Sequence, residues 1–259
     1  MKQRILSGIL MLPLLILVYI GGYALLAGCF LVGAAGVREF FSGFRKAGIY
    51  PSNTIAYLSA GGLYIIPIIS ADHLYMFWAF GVVLLSLLYM FNTEKRRISD
   101  GAATLTGIFY VVYFSFHVTL TDRILGYGSL VWLIFLAAFG TDIAAYFTGM
   151  AIGKHKLCPK ISPKKTVEGA IGGILGSVLL CGLFGYFLFN ELFIHCLIIG
   201  VLGGITAQLG DLTASVFKRN IGIKDFGDLI PGHGGILDRF DSVLFTAPMT
   251  YYYIILILL

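Results

Sequence analysis

Charge is what this 259-residue chain has least of: Lys, Arg, Asp and Glu together make up 12% of it, against 58% hydrophobic residues and a mean hydropathy of +0.91. A soluble domain carries about 25% charged residues, so a water-soluble globule is excluded and an integral membrane protein is expected. No long polar stretch remains for a separate soluble domain, and the chain reads as a single polytopic transmembrane domain over 1–259. Histidine is sparse, with five in all, and no serine, histidine and acid arrangement of the hydrolase kind is found. His73, His117 and His195 lie singly within or beside apolar runs, as packing or hydrogen-bonding residues do. The four cysteines, Cys29, Cys158, Cys181 and Cys196, lack Cys-x-x-Cys or Cys/His metal spacing and are expected to be small core residues. The N-terminal run lacks the small-residue cleavage site of a signal peptide and is expected to be a retained first span.

What the chain has instead is a series of apolar runs. A span needs about 20 apolar residues, and nine are expected, near 5–20, 22–41, 54–71, 73–91, 102–120, 128–149, 169–189, 193–213 and 243–259. Gly21-Gly22 is a weak break, so eight is the alternative. The fold class is therefore all-α, with N-terminal helices over 1–120 and catalytic helices and loops over 128–259. With the N-terminus cytoplasmic, 17 of the 18 Lys and Arg residues fall inside and only Arg123 outside, as the positive-inside rule requires. The net charge of +5 is thereby read as topology plus anionic ligands, not nucleic acid. Arg38, Glu39, Arg45 and Lys46, and the run Glu94 to Arg97, are read as interfacial charges that fix topology. The predicted outer connections are short, so function is expected at the cytoplasmic face.

Two stretches rise above this background. In the first, Asp142 lies inside an apolar span, where an ionisable group costs at least about 2.5 kcal/mol without a partner or water. Asp142, Tyr146, Gly149 and Gly153 fall on one helical stripe, small enough in part for close approach. Lys154, His155, Lys156, Lys160, Lys164 and Lys165 then line a loop, and Ser162-Pro-Lys-Lys-Thr-Val-Glu-Gly169 leads into the next helix. Ser162 or Thr166 is expected to cap it, and its free N–H groups favour an anion.

The second stretch, Leu209 to Ser242, is the densest in polar residues. Asp211, Ser215, Lys218 and Arg219 share a helix face, and Asp211 falls about 27 Å along a helix starting at Phe193, near the edge of the hydrocarbon core. Downstream come Lys224, Asp225, Asp228 and the turn Gly232-His233-Gly234-Gly235. Asp238 and Asp241 share a face if the last helix starts near Gly235. Carboxylates beside cations, with glycine-rich backbone to cradle phosphate, fit a phosphate site built around a divalent metal such as Mg²⁺. At an inner membrane surface, one substrate is expected to be a phospholipid.

These residues resemble the CDP-diacylglycerol synthases, or phosphatidate cytidylyltransferases. The matching pattern runs from Ser215-Val-Phe-Lys218-Arg219 through Lys224-Asp225-Phe-Gly227 and Pro231-Gly-His-Gly-Gly235 to Asp238-Arg239-Phe-Asp241. Asp142, the Gly153-Lys-His-Lys156 element and Ser162 to Gly169 also resemble the family. The resemblance covers about the C-terminal half, and Val167 stands where members often carry Trp. It implies CTP and phosphatidate as substrates, CDP-diacylglycerol and pyrophosphate as products, and Mg²⁺ and a monovalent cation such as K⁺ as cofactors; a homodimer is a separate expectation. It implies Asp211, Asp238 and Asp241 at metal, with Asp241 as a further ligand or an orienter. Lys218, Arg219 and Arg239 would then hold phosphates, and His233 would donate to the leaving pyrophosphate. Lys224 and Asp225 would bind CTP or brace the loop. Asp142, Lys154, Ser162, Lys164, Lys165, Thr166, Glu168, Ser215, Gly234 and Gly235 complete the expected substrate site.

Two other readings compete. A CTP-dependent lipid-alcohol kinase, of the polyprenol or phytol type, would share a metal and phosphate site but transfer the γ-phosphate. An ion-coupled transporter would use Asp142 and Asp211 for coupling, but no inverted repeat of broken helices is visible.

Overall fold

The computed structural model describes residues 15–227 and 234–259, and within them the regular structure is helical apart from one small hairpin. The helices are α1 (Gly22–Lys46), α2 (Asn53–Ile65), α3 (Leu74–Tyr89), α4 (Ile98–Asp122), α5 (Val131–Ile152), α6 (Val167–Leu188), α7 (Phe193–Asn220), α8 (Leu237–Phe240) and α9 (Val243–Tyr253). A helix lies at each of the eight expected spans from residue 22 onward. Residues 15–20 are also helical, and the rest of the first expected span lies outside the described residues. Five helical stretches are long and apolar enough to cross a membrane: Gly22–Lys46, Ile98–Asp122, Gly128–Ile152, Val167–Leu188 and Asn190–Asn220. At 13 residues, α2 reaches only about 20 Å, short of a ~30 Å hydrocarbon core.

Helix ends follow local chemistry. The Ser52 hydroxyl caps α2 by accepting from the Ile55 N–H at 3.3 Å. The first-turn Asp100 of α4 accepts from the Arg97 N–H at 2.9 Å and from the Tyr50 N–H at 2.7 Å, so one carboxylate fixes both a helix start and a distant loop. Residues Ile108–Tyr113 form a π-helical bulge within α4.

The chain packs as two compact units, one of residues up to 119 with 220–239, the other of 120–219 with 240–259. In the first, α1 packs against α2 and α4 around Val37, Phe40, Phe41, Leu63, Ile108, Val112, Phe116 and Phe226, all fully buried or nearly so. In the second, α5 and α6 form a tight antiparallel pair. Glycines make the seam: a methyl on Gly173 would meet Thr141 at 3.0 Å, and one on Gly169 would meet the Ala145 carbonyl at 2.9 Å. Lipid tails are as apolar as leucine, so such helices associate through close contact, not through exclusion of water. Gly149 and Gly153, placed on a small-residue stripe by the sequence, face Thr166 and Gly169 of this seam. Helix α7 joins the pair through Gly200 and Gly204, which lie against Ser177, Val178 and Ile174 of α6, and the Ser177 hydroxyl donates to the Gly200 carbonyl at 2.7 Å.

The Lys-rich connection between α5 and α6 departs from the all-α expectation. It folds as an antiparallel hairpin of β1 (Lys156–Cys158) and β2 (Ser162–Thr166). Pro163 biases Ser162 toward extended backbone, and β-branched Thr166 suits a strand. Cys181 and Cys196 are core residues, and no disulfide occurs among the described residues. His195 and Tyr253 hydrogen-bond at 2.9 Å, as expected of a packed histidine.

Candidate active site

In the second unit, three acids and two lysines from four different segments meet near the start of α9. Asp142 projects from α5, Asp211 from α7 and Asp241 from the turn between α8 and α9. The Asp211 carboxylate pairs with Lys165 of β2 at 2.5 Å, both side chains being partly exposed. The Ser242 hydroxyl donates to Asp142 at 3.0 Å, and the Ser242 N–H donates to Asp241 at 2.9 Å. Gly210 lets α7 pass the Asp241 backbone, because a methyl there would collide with the Asp241 carbonyl oxygen.

Asp241 is only 7% exposed. Burial raises its carboxyl well above the usual carboxylate range, the charges of Asp211 and Asp142 push it further the same way, and Lys218 opposes them. A buried carboxylate next to two others is a place where added positive charge is favourable. Among the described residues, however, no three His, Cys, Asp or Glu side chains converge closely enough to cage a metal ion by themselves. Ser215, one turn beyond Asp211, lies at 3.5 Å from it.

The hairpin beside this cluster is braced by residues that the sequence placed at substrate. Thr166, not Ser162, caps α6: its hydroxyl accepts from the Gly169 N–H at 3.1 Å, while Ser162 sits at the start of β2. Glu168 reaches back to accept from the Lys154 N–H at 3.1 Å, the His155 N–H at 3.2 Å and the His155 ring at 2.6 Å. Arg219 donates from Nε to the Ile161 carbonyl at 3.2 Å, tying the end of α7 to the hairpin tip. Lys154, Lys156, Lys160 and Lys164 are exposed and Lys165 is half-buried, so the hairpin and its flank offer five lysines on a fixed frame.

The first unit holds the glycine-rich loop. Asp238, on α8, accepts through one oxygen from the Phe226 N–H at 2.8 Å and the Gly235 N–H at 3.1 Å. Gly234 has φ 81°, a conformation that favours glycine, and it lies against Asp225 and Asp238. Lys224 and Asp225 are exposed and Arg239 is half-buried. The last helix does not run from Gly235 as the shared-face expectation for Asp238 and Asp241 required. The short α8 ends at Phe240, Asp241 falls in the turn, and α9 starts at Val243. Asp228, Gly232 and His233 lie outside the described residues.

Two contributors were missed from sequence. Ser242 follows the last motif aspartate and gives Asp142 its hydrogen-bond donor. Glu39, read as a topology charge, accepts from the Ile236 N–H at 3.1 Å and the Leu237 N–H at 2.9 Å. The available signal was its position, a lone acid with arginines on one helix end.

The model of the cytidylyltransferase family matches residues 2–257. A Synechocystis sp. protein named phosphatidate cytidylyltransferase is 35% identical, over 99% of this chain and 97% of its own length. Proteins of the same name from Bacillus subtilis and Staphylococcus haemolyticus are 34% and 32% identical, covering 97% and 96% of this chain and 97% of each relative. The similarity thus includes the N-terminal helices, where sequence motifs alone gave no resemblance.

Proposed function

The chain belongs to the cytidylyltransferase family, and from that premise we propose that it converts CTP and phosphatidate to CDP-diacylglycerol and pyrophosphate. The observation that carries the reading is the cluster of Asp142, Asp211 and Asp241 with Lys165 and Lys218, in a unit whose helices α5, α6 and α7 are of membrane-spanning length. A phosphate site next to lipid fits a phospholipid phosphate as one reactant.

In the reaction a phosphatidate oxygen attacks the α-phosphorus of CTP, a new P–O bond forms, and the bond to the β-phosphate breaks to release pyrophosphate. A phosphomonoester is already largely ionised at neutral pH, so no strong general base is needed and positioning carries the rate. Lys218 and Arg219 at the end of α7, with Lys164 and Lys165 on the hairpin, would neutralise the reacting and leaving phosphates. Asp142 would be held in place by Ser242. Arg239 and the glycine turn with His233 would meet the leaving pyrophosphate.

The donor set fits Mg²⁺, which commonly takes one or two carboxylates and completes its shell with phosphate oxygens and water. Asp211 and Asp241 would hold it, and the crowding of charge at Asp241 is the feature that accommodates it. Asp238 would serve as a further ligand or as the strut of the glycine loop. When bound, Mg²⁺ would supply charge neutralisation at the phosphates. Lys165 would then exchange Asp211 for a phosphate oxygen. A monovalent cation such as K⁺ and assembly as a homodimer remain parts of the proposal. So do nine spans, a cytoplasmic N-terminus, and a site on the cytoplasmic face of the inner membrane.

Purified protein in detergent, given Mg²⁺, phosphatidate and CTP labelled at either the α- or the γ-phosphate, tests this reading. We expect α-label in the lipid and γ-label in pyrophosphate. Label entering the lipid from the γ-position instead would establish the lipid-kinase reading.

A further inference from the structure

One face of α1 is a bed for residues 221–227 and 235–237 of the motif segment. Gly36, Glu39, Phe40 and Gly43 have spacing i, i+3, i+4 and i+7, a single helical stripe. A methyl on Gly43 would meet Ile221 and Ile223 at 2.9 Å, and one on Gly36 would reach Leu237 at 3.9 Å. Phe40 packs against Phe226 with ring centroids 5.6 Å apart, and both are buried. At the centre of the stripe the Glu39 carboxylate accepts one backbone N–H on each oxygen, from Ile236 and Leu237.

The glycines around that carboxylate have a spatial reason. A methyl on Gly227 would meet Glu39 Oε1 at 2.6 Å, and one on Gly235 would collide with Oε2. Gly234 is glycine for its backbone conformation, but Gly235 does not share that positive φ and is glycine for room. A single carboxylate pinned by two N–H bonds thus lies between two glycines of the motif, and it belongs to a helix nearly 200 residues earlier.

We propose that Glu39 is a positioning residue for the reaction: it sets the backbone at residues 226–227 and 235–238 so that Asp238 and Arg239 are presented in working geometry. This rests on the proposed cytidylyltransferase activity, but its structural part does not. An aspartate would be one methylene too short to span both amides, and a glutamine would set an NH₂ group against one N–H. Bonds to a charged acceptor are the stronger kind. Loss of one should therefore lower the rate about tenfold to a hundredfold.

The test compares the wild type with Glu39→Gln, Gly235→Ala and the double variant, each reconstituted as the full chain. For the two single variants we expect kcat to fall by about tenfold or more, with the KM for CTP and for phosphatidate little changed. The double variant should be no worse than the poorer single one, because both changes disturb the same contact. Hydrogen exchange supplies a readout independent of activity. Peptides covering 226–240 should exchange roughly tenfold faster in Glu39→Gln, while α5 and α6 keep wild-type protection. Wild-type kcat in Glu39→Gln, or unchanged exchange in 226–240, overturns the proposal. Multiplicative losses in the double variant do so as well. If Glu39→Gln cannot be purified folded, Gly235→Ala carries the same two expectations and the same two refutations. A wild type that makes no CDP-lipid would overturn the activity reading alone, leaving the exchange result to judge Glu39's hold on the loop.

Discussion

Carboxylates do opposite things in the two units. In the first, Glu39 and Asp238 accept backbone N–H bonds from Ile236, Leu237, Phe226 and Gly235, so these carboxylates hold main chain at Phe226 and at residues 235–237. In the second, Asp241 is buried with Asp211 and Asp142 close enough to repel it, and the nearby cations are lysines on long, flexible stems. The difference teaches how to sort acids around one site: a carboxylate bonded by main-chain donors shapes the backbone beside it, and one crowded by its own kind favours a cation from outside.

The comparison breaks most sharply at Asp241. Asp241→Asn should cost roughly a thousandfold in turnover and yet leave the protein without divalent cation at least as stable as the wild type at neutral pH. The sign follows from linkage. A carboxyl whose folded pKa is raised contributes stability that is full below its unfolded pKa, about 3.9, and is lost as pH rises through the folded value. Asparagine cannot ionise, so the variant's advantage in melting temperature should appear at pH 7 to 8 and vanish near pH 4. If Asp241→Asn instead melts earlier at pH 7, Asp241 is a structural acid like Glu39 and the distinction fails.

A smaller effect is expected at Lys165. Replacing it with methionine keeps the stem and removes the charge that faces Asp211. Turnover should drop about tenfold to a hundredfold, with a higher KM for CTP and little change in melting temperature, since partly exposed ion pairs add little to stability. An unchanged KM for CTP would mean that Lys165 serves only Asp211. Smallest of all is Thr166→Val, which removes the α6 cap. It should cost about 1 kcal/mol of stability, read as a melting shift of a few degrees, with kcat near wild type. A large loss of kcat there would show that the hairpin frame is catalytic and not merely supporting.

Much of this was legible in the chain. The low charge content and the apolar runs locate the helices, because period and length are local properties. The spacing of Asp211, Ser215, Lys218 and Arg219 places them on one face of α7 without knowledge of any partner. The role of Glu39 was not legible, since a glutamate beside Arg38 at a helix end is what a topology signal also looks like. Its two amide partners lie 197 and 198 residues away. Thr166 against Ser162 as the cap depended on where the hairpin hands over to α6, a boundary that Pro163 shifts by a few residues. The break between α8 and α9 escaped for a similar reason, because Asp238-Arg-Phe-Asp241 has helical spacing on paper and no glycine or proline marks the turn.

The central claim is that Asp211 and Asp241 are where a divalent cation sits with the triphosphate. Mn²⁺ is a paramagnetic stand-in for Mg²⁺, and its binding to the purified protein with CTP present can be followed by electron paramagnetic resonance in the wild type, Asp211→Asn and Asp241→Asn. The account predicts a bound-ion signal in the wild type and at least about tenfold weaker binding in each variant, since each loses a charged ligand. Equal Mn²⁺ affinity in all three proteins would contradict it.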